Sequence, residues 1–243
     1  DADGITSTAQ AVESADTGGN ASLLYLSTTE VYSPGKAGTS NTVFGKAAGA
    51  ALASGANYNV YLGEDAGNDN SSGDDNVFLG YLAGDKTTAV SKSIIIGSNS
   101  GAANMTAGDG ADASGADGTI AIGYQALESL TSAGGNVAVG MHALSSEDDG
   151  DYSTAVGLQA LQQQTGTSGT VANTAVGFRA GRSLTTATGT TLVGYLAGGA
   201  ATMTGANNTV VGSLAGTALT GGASNVLSGF GFITKKGRKR LSA

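Results

Sequence analysis

Cysteine and tryptophan are absent from the chain, and proline occurs once. Without cysteine there are no disulfides, thiolate metal sites or thiol nucleophiles. Near-absence of proline, and glycine that is not every third residue, excludes collagen. Charged residues make up only 12%, about half the usual share. Lys, Arg, Glu and Leu are too sparse for a coiled coil or helical bundle over most of the length. No apolar run approaches the ~18 residues needed to cross a bilayer, and no signal peptide is read at the N-terminus. The chain opens at Asp1, as a processed protein or a piece of a longer one would.

Glycine is in excess, at 41 of 243 residues, and the formal net charge is −8. Large aliphatic side chains are few, but the high net charge of a disordered chain is missing. The glycines are explained by an internal repeat. One phrase recurs eleven times: a small polar residue, three mostly apolar residues, Gly, two variable residues, Ala, then Gly or Leu. Its glycines are Gly45, Gly63, Gly80, Gly97, Gly123, Gly140, Gly157, Gly177, Gly194, Gly212 and Gly229. Most are spaced 17 or 18 apart, with one spacing of 26 and one of 20. Counting from that Gly, position −4 is Asn, Ser or Thr in every copy. Position +3 is Ala in nine, with Ser100 and Phe232 as the exceptions.

Three apolar, often β-branched residues bounded by a polar residue and Gly read as a short strand. A 17-residue unit cannot bury its own apolar face, whereas stacked units can. The expected fold is therefore all-β, a parallel β-solenoid (β-roll) of about eleven 17-residue coils over residues 41–233. At ~4.8 Å per rung that is a rod on the order of 50 Å long. The longer spacings place their surplus between phrases, in loops on one side of the rod. Residues 1–40 are expected to form a connecting or capping segment, with one or two strands around 21–27 and 30–32. Residues 234–243 form a basic tail.

Side chains alternate along a strand. The larger −1 and −3 residues are expected to fill the inside of the roll, including the −3 threonines Thr154, Thr174, Thr191 and Thr209. Position −2 then points outward. It is Val43, Tyr61, Phe78, Ile95, Ala121, Ala138, Ala155, Ala175, Leu192, Val210 and Leu227. Strands apolar on both faces are buried on both faces, so this row is the candidate trimer interface, where the chain meets copies of itself.

The segments Asn173-Thr174-Ala175-Val176-Gly177-Phe178-Arg179-Ala180-Gly181 and Thr119-Ile120-Ala121-Ile122-Gly123-Tyr124-Gln125-Ala126-Leu127 resemble the head repeats of YadA-like trimeric autotransporter adhesins. Similar repeats occur in phage tail-fibre proteins, particularly of marine phages. The resemblance covers roughly residues 41 to 232 and implies a left-handed roll assembled as a homotrimer. The family unit is nearer fourteen residues, so longer loops are implied here. The stalk and the membrane-anchoring barrel of the adhesins are not found in this sequence, which favours a virion fibre or appendage.

Candidate chemistry is thin. His142 is the only histidine. It resembles the general base of hexapeptide-repeat acyltransferases only in its residue type, and it sits at the variable +2 position with no partner to activate it. Acidic clusters at 69–75, 109–117 and 147–151 are mostly solvated loop. Asp109, Asp112 and Asp117 are the set that Ca²⁺ would use, and no other cofactor is expected. The +1 aromatics Tyr81, Tyr124, Phe178 and Tyr195 are expected to pack rather than to stack on sugars. Five of the eleven Lys and Arg lie in the last nine residues, as Lys235, Lys236, Arg238, Lys239 and Arg240. Without interleaved aromatics, and on an acidic body, they suit another virion protein or an acidic glycan better than nucleic acid.

The expected function is a structural fibre or receptor-binding protein of a phage virion, extracellular, mediating host attachment. Its partners would be itself, other virion proteins and a host cell-surface glycan or protein, without catalysis. The alternative is a bacterial surface adhesin head or a self-assembling extracellular filament.

Overall fold

A computed structural model of the chain describes residues 10–13, 23–26, 38–106, 115–166 and 169–231. Two strands, β1 (Gln10–Glu13) and β2 (Leu23–Leu26), pair antiparallel near the start. The expected strand at 30–32, the basic tail, Phe232, Asp109 and Asp112 lie outside the described residues.

Each phrase then supplies one three-residue strand. They are β3 (Thr42–Phe44), β4 (Val60–Leu62), β5 (Val77–Leu79), β6 (Ile94–Ile96), β7 (Ile120–Ile122) and β8 (Val137–Val139). After the two-residue β9 (Gly150–Asp151) come β10 (Thr154–Val156), the two-residue β11 (Gly169–Thr170), β12 (Thr174–Val176), β13 (Thr191–Val193), β14 (Thr209–Val211) and β15 (Val226–Ser228). The eleven phrase strands form one parallel sheet in which each pairs with the strands of the neighbouring coils. Register is strict: Ala121 faces Ala138, which faces Ala155, which faces Ala175. β9 and β11 pair parallel on another side of the coil. No helix occurs among the described residues. The architecture is a parallel β-solenoid.

The phrase glycine ends each strand at φ between 127° and 136°, a region only Gly occupies without strain. The glycines also stack closely. A Cβ on Gly140 would lie 2.5 Å from the Gly157 carbonyl oxygen of the next coil. A turn follows, in which the +3 nitrogen donates to the glycine carbonyl, as Ala143 does to Gly140. The +3 alanines are fully buried at this corner, from Ala66 to Ala215. The exception Ser100 is buried too, and its Oγ donates to the Ala121 and Ala126 carbonyls.

Position −4 is the second fixed element, and it too points inward. Asn59, Asn76, Asn136, Asn173 and Asn208 are fully buried. Each Nδ2 donates to a loop carbonyl: Gly73, Val90, Gly150, Ala187 and Gly222 respectively. Their Oδ1 atoms accept backbone N–H groups from the next coil, as Asn59 does from Asn76 and Asn136 from Ser153. The result is an asparagine ladder that satisfies backbone groups a buried corner would otherwise orphan.

Because −4 and −2 lie on the same side of a strand, the ladder fixes the facing of the whole phrase, and the sequence expectation is inverted. Val43, Tyr61, Phe78, Ile95, Ala121, Ala138, Ala155, Ala175, Leu192 and Val210 are buried inside their own chain, and Leu227 is half-buried in the last coil. The −2 row is the core, not a surface between copies. Rows −3 and −1 face outward.

The core is narrow, and its volume is shared between −2 and +4. Where −2 is Tyr61, Phe78, Ile95, Leu192 or Val210, position +4 is Gly67, Gly84, Gly101, Gly198 or Gly216. A Cβ on Gly84 would lie 2.9 Å from the Phe78 ring. Where −2 is Ala121, Ala138 or Ala155, position +4 is Leu127, Leu144 or Leu161, all fully buried. The coil of Ala175 has Gly181, and there Leu161 and Leu192 lean in from both sides, 2.8 and 2.5 Å from where a Cβ would stand.

Candidate interaction faces

The outward side of the eleven-stranded sheet presents the −1 and −3 rows. Its −1 row runs Phe44, Leu62, Leu79, Ile96, Ile122, Val139, Val156, Val176, Val193 and Val211 before ending at Ser228. The −3 row is Thr at 42, 154, 174, 191 and 209, and Val or Ile in the other six coils, Val226 included. All are half-buried or exposed; Phe44 is 50% and Val211 43% exposed. Three residues by eleven rungs gives a face of about 10 by 50 Å. Contiguous apolar patches of several hundred Å² are unusual on a free surface. The −3 threonines, expected inside, stand in this row.

The flank beside the sheet carries the +1 and +2 residues. Phe178 and Tyr195 stack with centroids 5.3 Å apart and planes 9° from parallel. The Arg179 guanidinium lies 4.9 Å from the centre of the Phe178 ring. Phe178 thus packs against neighbours, whereas Tyr81, Tyr124 and Tyr195 remain about half exposed. His142 meets Tyr124 edge-on at 5.4 Å and 87°, an aromatic contact rather than a base poised by a carboxylate. Arg179 Nε donates to Gln159 Oε1 at 2.7 Å, and Arg182 Nε to Gln162 Oε1 at 3.2 Å. Lys46 and Glu64 form the ion pair found among the described residues, and it is exposed.

The acidic loops serve the backbone. Asp74, Asp117 and Asp151 accept the Asn57, Ser91 and Gly134 N–H groups. Glu147, Asp148 and Asp149 bring carboxylate oxygens within 4.8 Å of one another. Glu147 is fully buried, however. Its Oε1 accepts from the Gly150, Asp148 and Gly166 N–H groups, and its Oε2 from Gln164. A carboxylate with those donors already in place is poorly suited to Ca²⁺, which needs free oxygens. Burial, then the neighbouring Asp148 carboxylate, pushes the Asp149 carboxyl upward. Sequence reasoning missed the Glu147–Gln164 pair, which stands in the core where other coils place residues such as Leu130 and Leu184.

No family model, curated protein or solved structure matches this chain. No helix among the described residues is long and apolar enough to cross a membrane.

Proposed function

We propose that the chain is a structural fibre protein of a phage virion, a tail fibre or capsid-attached appendage that acts in host attachment. It works outside the cell, by binding rather than by catalysis, and as a homotrimer. One observation carries the assembly reading: the outward −1 row is apolar in ten consecutive coils, from Phe44 to Val211, and it stands half-buried or exposed. A face of about 500 Å² per chain, covered by copies, reaches the ~1,000 Å² total of a specific contact. Parallel in-register rungs also suit a symmetry axis running along the rod, since each rung then meets its own equivalents. The YadA-like phrase supports the same arrangement.

The test is mass in solution. A particle of ~70 kDa is expected from the 23.5 kDa chain, as for three copies. Ile122→Glu combined with Val176→Glu, both on the outward row, should release folded monomers. A wild-type monomer would overturn the assembly, and open-ended particles would favour an extracellular filament.

A further inference from the structure

We propose that Arg179 and Arg182 form an anion-binding fork that takes the carboxylate or sulfate groups of an acidic glycan. The inference rests on the host-attachment reading and names the ligand chemistry. Both arginines belong to one coil, on the flank next to the sheet. Each is held by the coil before it, in the same way: Nε donates to a glutamine side-chain oxygen, Gln159 for Arg179 and Gln162 for Arg182. A guanidinium anchored through Nε keeps its two terminal nitrogens for a bidentate oxyanion. Phe178, itself backed by Tyr195, fixes the plane of Arg179. The side-chain entropy an arginine normally loses on binding is therefore largely spent in advance.

Two further features point to a ligand. Among the described residues neither arginine pairs with a carboxylate, although Asp and Glu outnumber Lys and Arg 19 to 11 over the chain. In the row that holds Arg182, the nearest acid is Glu128, three coils away, about 14 Å and beyond the screening length at physiological salt. In the next coil the residue at the offset of Arg182 is Gly199, which brings no side chain. The choice of a glycan follows from charge. Two cations on an acidic molecule suit a polymer with well-spaced anions. A nucleic acid, with a charge about every 1.7 Å of duplex, would be repelled by the rest of the body.

The experiment titrates the full chain with labelled dextran sulfate of low substitution, whose sulfates are well spaced, with neutral dextran and a DNA duplex as references. Wild type should bind dextran sulfate with an affinity that falls as salt rises, ignore neutral dextran, and bind DNA more weakly. R179Q with R182Q should weaken dextran sulfate binding by about tenfold or more, as loss of two charge-assisted contacts implies. Gln159→Ala with Gln162→Ala keeps both charges and should weaken it by about threefold through lost pre-organisation. K86Q with K92Q should change nothing. Replacing the five basic tail residues by Gln isolates their share. The proposal is overturned if R179Q/R182Q binds like wild type, if the tail variant alone abolishes binding, if DNA binds more tightly, or if wild type does not bind at low salt. Unchanged particle mass in R179Q/R182Q separates failure of this site from failure of the assembly reading.

Discussion

Tyr61 places a hydroxyl inside the core, beside the Asn76 side chain but without a well-formed hydrogen bond to it. Its ring stacks on Phe78 of the next coil, centroids 4.8 Å apart. Tyr61→Phe keeps the stack and removes an unsatisfied buried polar atom, so it should raise stability by about 1 kcal/mol in urea denaturation. Burial pushes the Tyr61 phenol well above its usual range. The unfolded chain ionises that phenol near pH 10 while the folded chain resists. The stability is present below pH ~10 and is lost as pH rises further. Wild type should therefore fall behind Tyr61→Phe increasingly above pH 10. Asn136 predicts the opposite sign at neutral pH. Asn136→Ala strips a partner from both the Gly150 carbonyl and the Ser153 N–H, at a cost of about 2–4 kcal/mol. Asn136→Thr should cost less, because Thr119 and Thr190 hold equivalent places. At this scale the polar residue at −4 was plain in all eleven copies, but its burial was not. A buried Asn is uncommon, and only stacking gives its amide partners.

The eleven phrase strands were legible in number, type and boundary, since they start and stop at the positions the phrase marks; β1 and the two-residue β9 and β11 carry no phrase and were not. The facing of the phrase strands was not. Size suggested that the larger −1 and −3 side chains fill the core. The parity between −4 and −2 held the answer, because a ladder side chain and a core side chain must share a side. The alternation of −2 with +4 was also present: Phe78 with Gly84 and Ala138 with Leu144 are one constant volume divided differently. Ala138→Phe alone should overpack the coil and cost about 2 kcal/mol. Adding Leu144→Gly should restore at least half of that, a coupling a double-mutant cycle in thermal denaturation measures. Leu144 sits at φ 51°, so glycine there also relieves backbone strain. Gly140→Ala, by contrast, meets the Gly157 carbonyl and should cost about 3 kcal/mol. Gly221→Ala, with nothing near its Cβ and no positive φ, should cost markedly less.

Over the whole molecule, each coil touches mainly its two neighbours, so stability is close to a sum of coil and interface terms. Excising residues 124–140 joins Gly123 to Met141 and removes one unit. The core it leaves sets Ala121 against Leu144, a permitted pair. The shortened chain should stay folded by circular dichroism and melt within a few degrees of wild type. The solenoid was readable because its period is written in glycine. The outward face was mislocated for the reason given above, and the arginine fork was invisible because its glutamine partners lie 20 residues away, across the insertion between Gly157 and Gly177. The division of core volume has one more effect. A nascent coil that skipped a rung, or settled on the wrong neighbour, would bring two bulky groups together or leave a hole. Near-identical units thus carry distinct addresses, which protects so repetitive a chain from folding out of step with itself.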